Sequence, residues 1–244
     1  MADNFKQLRK SDILKITQIR KYETKLGEVV QCAEEEYFEK SVIASPARYV
    51  ILGIPEQIGV LANYGKSGTQ TLWPQFLQSF LNIQSNDFLN GSEIMMGGYF
   101  DFTEEFKLIN STARDPEERI AALRKFVQSI DEQVEEAVKI VCRNKKVPIL
   151  VGGGHNNAYG AIKGAAKGLH SIEAIPLAQI SAINLDAHTD YRMHEGRHSG
   201  NAFRYADEDG YLNKYFIIGA HENYLQQYVL KDIHDNPFID FISL

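Results

Sequence analysis

The chain has 244 residues, 44% of them hydrophobic and 24% charged, which is ordinary globular composition and length for one large domain or two small ones. A formal net charge of -6, with no Lys/Arg stripe interleaved with aromatics, argues against nucleic acid or another polyanion as partner. Mean hydropathy of -0.29 and the lack of a long apolar run argue against a membrane span. Met1–Lys6 lacks the apolar core of a signal peptide, and two cysteines, Cys32 and Cys142, cannot make a disulfide framework, so the reducing cytoplasm is the expected compartment.

In chain order, the charged stretch from Asn4 to Phe38 carries Ile13, Ile16 and Ile19 at helical spacing and reads as one or two peripheral helices within residues 1–45. The run Ala47–Pro55 is β-branched, apolar and stopped by Gly53 and Pro55, the pattern of a buried strand. A glycine-containing loop over 59–68 follows, then a helix over 69–81, then a strand over 93–102 interrupted by Gly97 and Gly98. The clearest helix runs from Pro116 to about Asn144. Asp115 caps it, Glu117 and Glu118 suit its positive end, and Ile120, Leu123, Val127, Ile130, Val134, Val138 and Val141 form one apolar face. Strands then alternate with helices: Val147–Val151, a helix over 157–168, and strands at Ile180–Leu185, Tyr215–Gly219 and Phe238–Leu244. This alternation predicts a single α/β domain over 1–244, with a mostly parallel sheet covered on both faces.

In such sheets ligands bind at the carboxyl ends of strands. His155 lies four residues past Val151, and Asp186, His188 and Asp190 follow Leu185, so both clusters fall at strand ends. In extended chain, alternate side chains share one side, so Asp-x-His-x-Asp points three ligands the same way. Two carboxylates and two imidazoles suit manganese or iron, with zinc possible, better than a thiolate-preferring metal. A lone histidine after a glycine turn is more often a cap or a packed side chain; the whole cluster is what gives the metal reading its weight. The triple glycine lacks the Lys and Ser/Thr of a phosphate loop.

Gly152-Gly153-Gly154-His155 and Asn184-Leu185-Asp186-Ala187-His188-Thr189-Asp190 resemble the first two metal motifs of the arginase, agmatinase and formimidoylglutamase family, the ureohydrolases. The similarity runs from about Tyr49 to the end. Gly154 stands where arginases and agmatinases have aspartate, which is closer to the formimidoylglutamase branch. Arg197-His198-Ser199-Gly200-Asn201 is similar to that branch's pocket segment.

The resemblance implies a three-layer α-β-α fold of the arginase/deacetylase type. It further implies two Mn2+ ions per site, a small guanidino or formimino substrate, and a homo-oligomer. His155, Asp186 and Asp190 would hold one ion, and His188 with bridging Asp186 the second. A bridging hydroxide would attack the substrate carbon, Asp190 would relay the proton, and His198 is a weaker catalytic candidate. Arg197, Ser199 and Asn201 would bind substrate, while Arg192, His194, Glu195, His221 and Glu222 occupy the same strand-end loops. The family's third motif, a serine followed by paired aspartates, is not in the chain, although Ser243 stands where its serine would. The resemblance therefore implies a chain lacking the family's C-terminal part, with an incomplete ligand set. The alternatives are an inactive member serving as a binding or scaffold subunit, and a one-zinc deacetylase, against which Asp190 and Gly154-His155 argue.

Overall fold

A computed structural model describes residues 4–243. The first elements are β1 (Phe5–Gln7), α1 (Lys10–Ile16), α2 (Leu26–Val29), β2 (Gln31–Cys32), α3 (Phe38–Ala44), β3 (Tyr49–Gly53) and α4 (Ile58–Ala62). Next come α5 (Leu72–Phe80), β4 (Ile94–Phe100), α6 (Thr103–Thr112), α7 (Pro116–Arg143), β5 (Val147–Val151) and α8 (Asn157–Ser171). The last are β6 (Ile180–Leu185), α9 (Ala202–Glu208), β7 (Leu212–Ala220), α10 (Gln227–Asp235) and β8 (Ile239–Ser243).

These strands hydrogen-bond into two sheets, and the described residues group into two compact units. The first unit comprises the chain up to Gln57 with Ser67–Ser111 and Ile140–Gly153. Its sheet runs β1-β4-β3-β5, with β2 also on β4; β1 is antiparallel and the other pairings are parallel. Central β3 is buried from Val50 to Gly53, and a Cβ on Gly53 would lie 2.4 Å from the Trp73 ring, so α5 crosses β3 at close range. β1 falls in the stretch expected to be helical. Phe5 stacks edge-on against Phe38 and Phe100, at 4.9 and 5.1 Å, and this packing outweighs local preference.

The second unit comprises Ile58–Lys66, Thr112–Lys139 and the chain from Gly154 onward. Its sheet is parallel, in the order β6-β7-β8. Tyr215, Ile217 and Ala220 of β7 pack with Phe203 of α9 and with Val229 and Ile233 of α10. The first turn of α7 is closed as expected: Asp115 Oδ1 accepts from Glu118 N at 2.8 Å, and the Glu118 carboxylate accepts from Arg114 N. Helix α8 crosses α7 almost backbone to backbone, since a Cβ on Gly160 would lie 2.7 Å from Asp131 O and one on Gly164 2.4 Å from Glu135 O. That crossing anchors the helix directly following His155. β5 and β6 are each the edge of their own sheet, and Ile183 and Leu185 of β6 are 73% and 81% exposed.

Candidate metal centre

The chain leaves β5 through Gly152 and Gly153, both at positive φ (98° and 76°), a left-handed path that side chains other than glycine resist. A Cβ on Gly154 would lie 2.3 Å from Asn156 Oδ1 and 2.9 Å from Val60, so an aspartate there would displace Asn156. His155 follows. Its Nδ1 lies 3.0 Å from Asp186 Oδ2 and 2.7 Å from Asp190 Oδ2. The other Asp186 oxygen accepts from His188 N at 2.9 Å and lies 3.3 Å from His188 Nδ1. Asp186 thus faces both histidines.

Several contacts fix these groups. Asp186 N donates to Ile218 O of β7, and Phe203 N donates to Asp190 O. Tyr215 Oη donates to Thr189 O at 2.7 Å and accepts from Asn184 Nδ2. The His155 ring meets Phe203 edge-on at 5.4 Å, and His188 stacks on Tyr224 at 4.9 Å, with His221 on the same tyrosine. Asp190 has φ 45°, a strained conformation that aspartate tolerates better than most residues.

The electrostatics are those of two carboxylates around one cation. Burial opposes charge on His155, yet hydrogen bonds to Asp186 and Asp190 outweigh it and raise its pKa to about 9. Burial would raise Asp186 as well, but hydrogen bonds from His155 and from His188 hold it at about 2. Asp190 goes the other way: it is the more buried carboxyl, and desolvation pushes it up despite His155. Donor atoms of His155, Asp186 and Asp190 lie within 4.8 Å of one another. Contacts of 2.7 and 3.0 Å approach the ~3 Å between adjacent ligands of an octahedral ion with ~2.1 Å bonds. One imidazole nitrogen and carboxylate oxygens suit a hard or borderline dication. These residues fit a divalent metal, and binding would displace the His155 proton.

The pocket segment lies otherwise than the sequence suggests. Arg197 is 2% exposed and ion-paired to Asp131, which removes it from a substrate-binding role. Asn201 is equally buried, its Oδ1 accepting from Arg197 and from His198 N. His198 has no exposed surface: Nδ1 accepts from Gly200 N at 3.0 Å and Nε2 lies 3.1 Å from Glu195. With both ring nitrogens occupied it is not placed to move a substrate's proton. Ser199 accepts from Asn63, and Asn63, Arg192, Asn223, Tyr224 and Gln226 line a pocket of about 380 Å³ beside His188 and Asp190. Arg192 shares Glu195 with Arg124, while His194 pairs with Glu208. Sequence reasoning missed Asn63, Tyr224 and Asp131. Only Asp131 left a signal, as a carboxylate four residues after Val127 and three before Val134 on the apolar face of α7.

A family model described as the arginase family matches residues 93–236. The chain belongs to the arginase family. A formimidoylglutamase of Streptococcus pyogenes is 29% identical over 123 residues, 48% of this chain and 36% of that relative. Among solved structures, Trypanosoma cruzi formiminoglutamase with Mn2+ superposes with a TM-score of 0.58 at 20% identity, covering 91% of this chain and 65% of that one. Formimidoylglutamase from Bacillus subtilis gives 0.65 at 13% identity, covering 93% and 61%. Arginase from Medicago truncatula gives 0.60 at 14%, covering 84% and 63%. The arginase fold is shared across these proteins, and this chain spans less than two thirds of each.

Proposed function

We propose that this chain acts as a manganese-dependent hydrolase of linear carbon–nitrogen bonds in formimino compounds of the formiminoglutamate type. The observation that carries the reading is the convergence of His155, Asp186 and Asp190 at strand ends, with His188 on the second oxygen of Asp186. His155, Asp186 and Asp190 would hold one ion, and His188 with the shared Asp186 the other. Bound manganese would supply a water acidified enough to be hydroxide near neutral pH.

The chain's own groups then have distinct tasks. Asp190 is the more buried of the two carboxyls and lies 2.7 Å from His155, and it would accept a proton from the attacking water and return it to the leaving nitrogen. Tyr224 holds the His188 ring by stacking. Asn63, Asn223 and Gln226 offer amide hydrogen bonds, and Arg192 brings positive charge to a substrate carboxylate. The formimino assignment draws on the names of the relatives and on Gly154, which leaves no room for the arginase-type aspartate.

Release of the amine product by the purified chain, glutamate from formiminoglutamate (with formamide) and ornithine or putrescine from arginine or agmatine (with urea), tests this, with manganese and with chelator. Release is expected from formiminoglutamate above the other two, abolished by chelator and restored by MnCl2. Equal rates with and without chelator, or none from any substrate, would overturn the proposal.

A further inference from the structure

Arg197 is a fully occupied guanidinium in the interior of the second unit. Its Nε donates to Asp131 Oδ2 at 2.8 Å and Nη2 to Asp131 Oδ1 at 3.2 Å, a bidentate pair with helix α7. Nη2 also donates to Asn156 O at 3.0 Å, and Nη1 to Asn201 Oδ1 at 2.5 Å and His198 O at 3.4 Å. All five N–H groups of an arginine are thereby used. The rings of Tyr159 and Tyr205 lie 4.8 Å from the guanidinium carbon. Arg197 and Asp131 are 2% and 3% exposed, so water does not compete for these bonds.

The bonds to Asn156 and Asn201 lead toward the metal centre. Asn156 is the neighbour of His155, and its carbonyl lies in the turn that also carries the Ala158 N–H to His155 O bond. Asn201 precedes α9, whose Phe203 donates its N–H to Asp190 O and sets its ring against His155. One guanidinium therefore ties α7, the His155 turn and the Phe203 segment together. A buried ion pair is weak support for stability in itself, since desolvation offsets much of its attraction; what it fixes well is geometry.

We infer that Arg197 and Asp131 are positioning residues, which hold His155 and Asp190 at ligand spacing through Asn156 and Phe203. The inference deepens the metalloenzyme reading above and rests on it. Groups that orient metal ligands characteristically affect metal affinity ten- to a hundredfold, roughly, when replaced.

The test is the neutral pair D131N/R197Q, which avoids leaving one charge buried alone, beside the conservative R197K. Two readouts are needed on folded protein. The first is hydrogen exchange of the metal-free chain. Peptides spanning 155–159 and 197–205 are expected to exchange about tenfold or more faster in the pair, with those of β7 unchanged. The second is Mn2+ affinity, expected to fall about tenfold or more in the pair and less in R197K. A lower melting temperature with local exchange and Mn2+ affinity both at wild-type values would overturn the inference and leave the pair a merely structural contact. Absence of Mn2+ binding in the wild type would instead sink the metalloenzyme reading, and the exchange arm would still decide whether the pair orders these segments.

Discussion

His198 shows how burial decides a residue's role. Its Nε2–H faces Glu195, its Nδ1 accepts from Gly200 N, and Arg124 and Arg192 stand on the same glutamate. Burial is the largest influence on its pKa, opposed by the Glu195 charge and reinforced by Arg124 and Arg192, and it falls to about 4. The sign follows from linkage. The unfolded histidine takes up a proton near pH 6.5 and the folded one only near pH 4, so stability is fully present above 6.5 and is lost as pH falls toward 4. Between pH 7 and pH 5 this amounts to about 2 kcal/mol. Urea unfolding at the two pH values should show that loss in the wild type and little of it in H198Q. Equal losses in both would refute the assignment of a buried neutral imidazole. The burial of His198 depends on Glu195 and on the bond from Ser199 N to Gly59 O, contacts between distant segments that no local pattern records.

At the scale of elements, the long-period signals were legible. The apolar stripe and Asp115 cap of α7, and the β-branched runs of β3, β5 and β6, each carry several agreeing residues. Short elements were not. Helices α4 and α9 span five and seven residues, too few for a 3.6-residue period to declare itself, and β1 exists because Phe5 finds Phe38 and Phe100. A crossing of helices is likewise invisible until both are placed. Gly160 and Gly164 are spaced by one turn, and only the structure shows α7 lying against them. A methyl group at Gly164 would lie 2.4 Å from the Glu135 carbonyl, so G164A should separate the helices. Overpacking of this kind costs about 1–3 kcal/mol, more than helix propensity returns. The urea midpoint measures it: a drop is expected, and a rise would mean that the helices do not approach this closely.

For the molecule, the His155 segment and the segment from Asp186 to Asp190 both lie at the carboxyl ends of strands, as the general rule for ligand sites in α/β sheets requires. The fold is shared with relatives at 13–20% identity, so it rests on pattern more than on particular residues. The edges of the sheets were the least legible part. Apolar composition made β6 look buried on both faces, whereas Leu185 is 81% exposed. Among the described residues no helix is long and apolar enough to cross a membrane.

The central claim is that Asp186 joins His155 and His188 in one metal centre. Manganese bound per chain, measured by electron paramagnetic resonance during titration of the wild type and of D186N, tests it most directly. The account predicts saturable binding in the wild type and its loss in D186N, a substitution that keeps the side chain's shape and removes the charge shared by both histidines. Undiminished Mn2+ binding in D186N would contradict it.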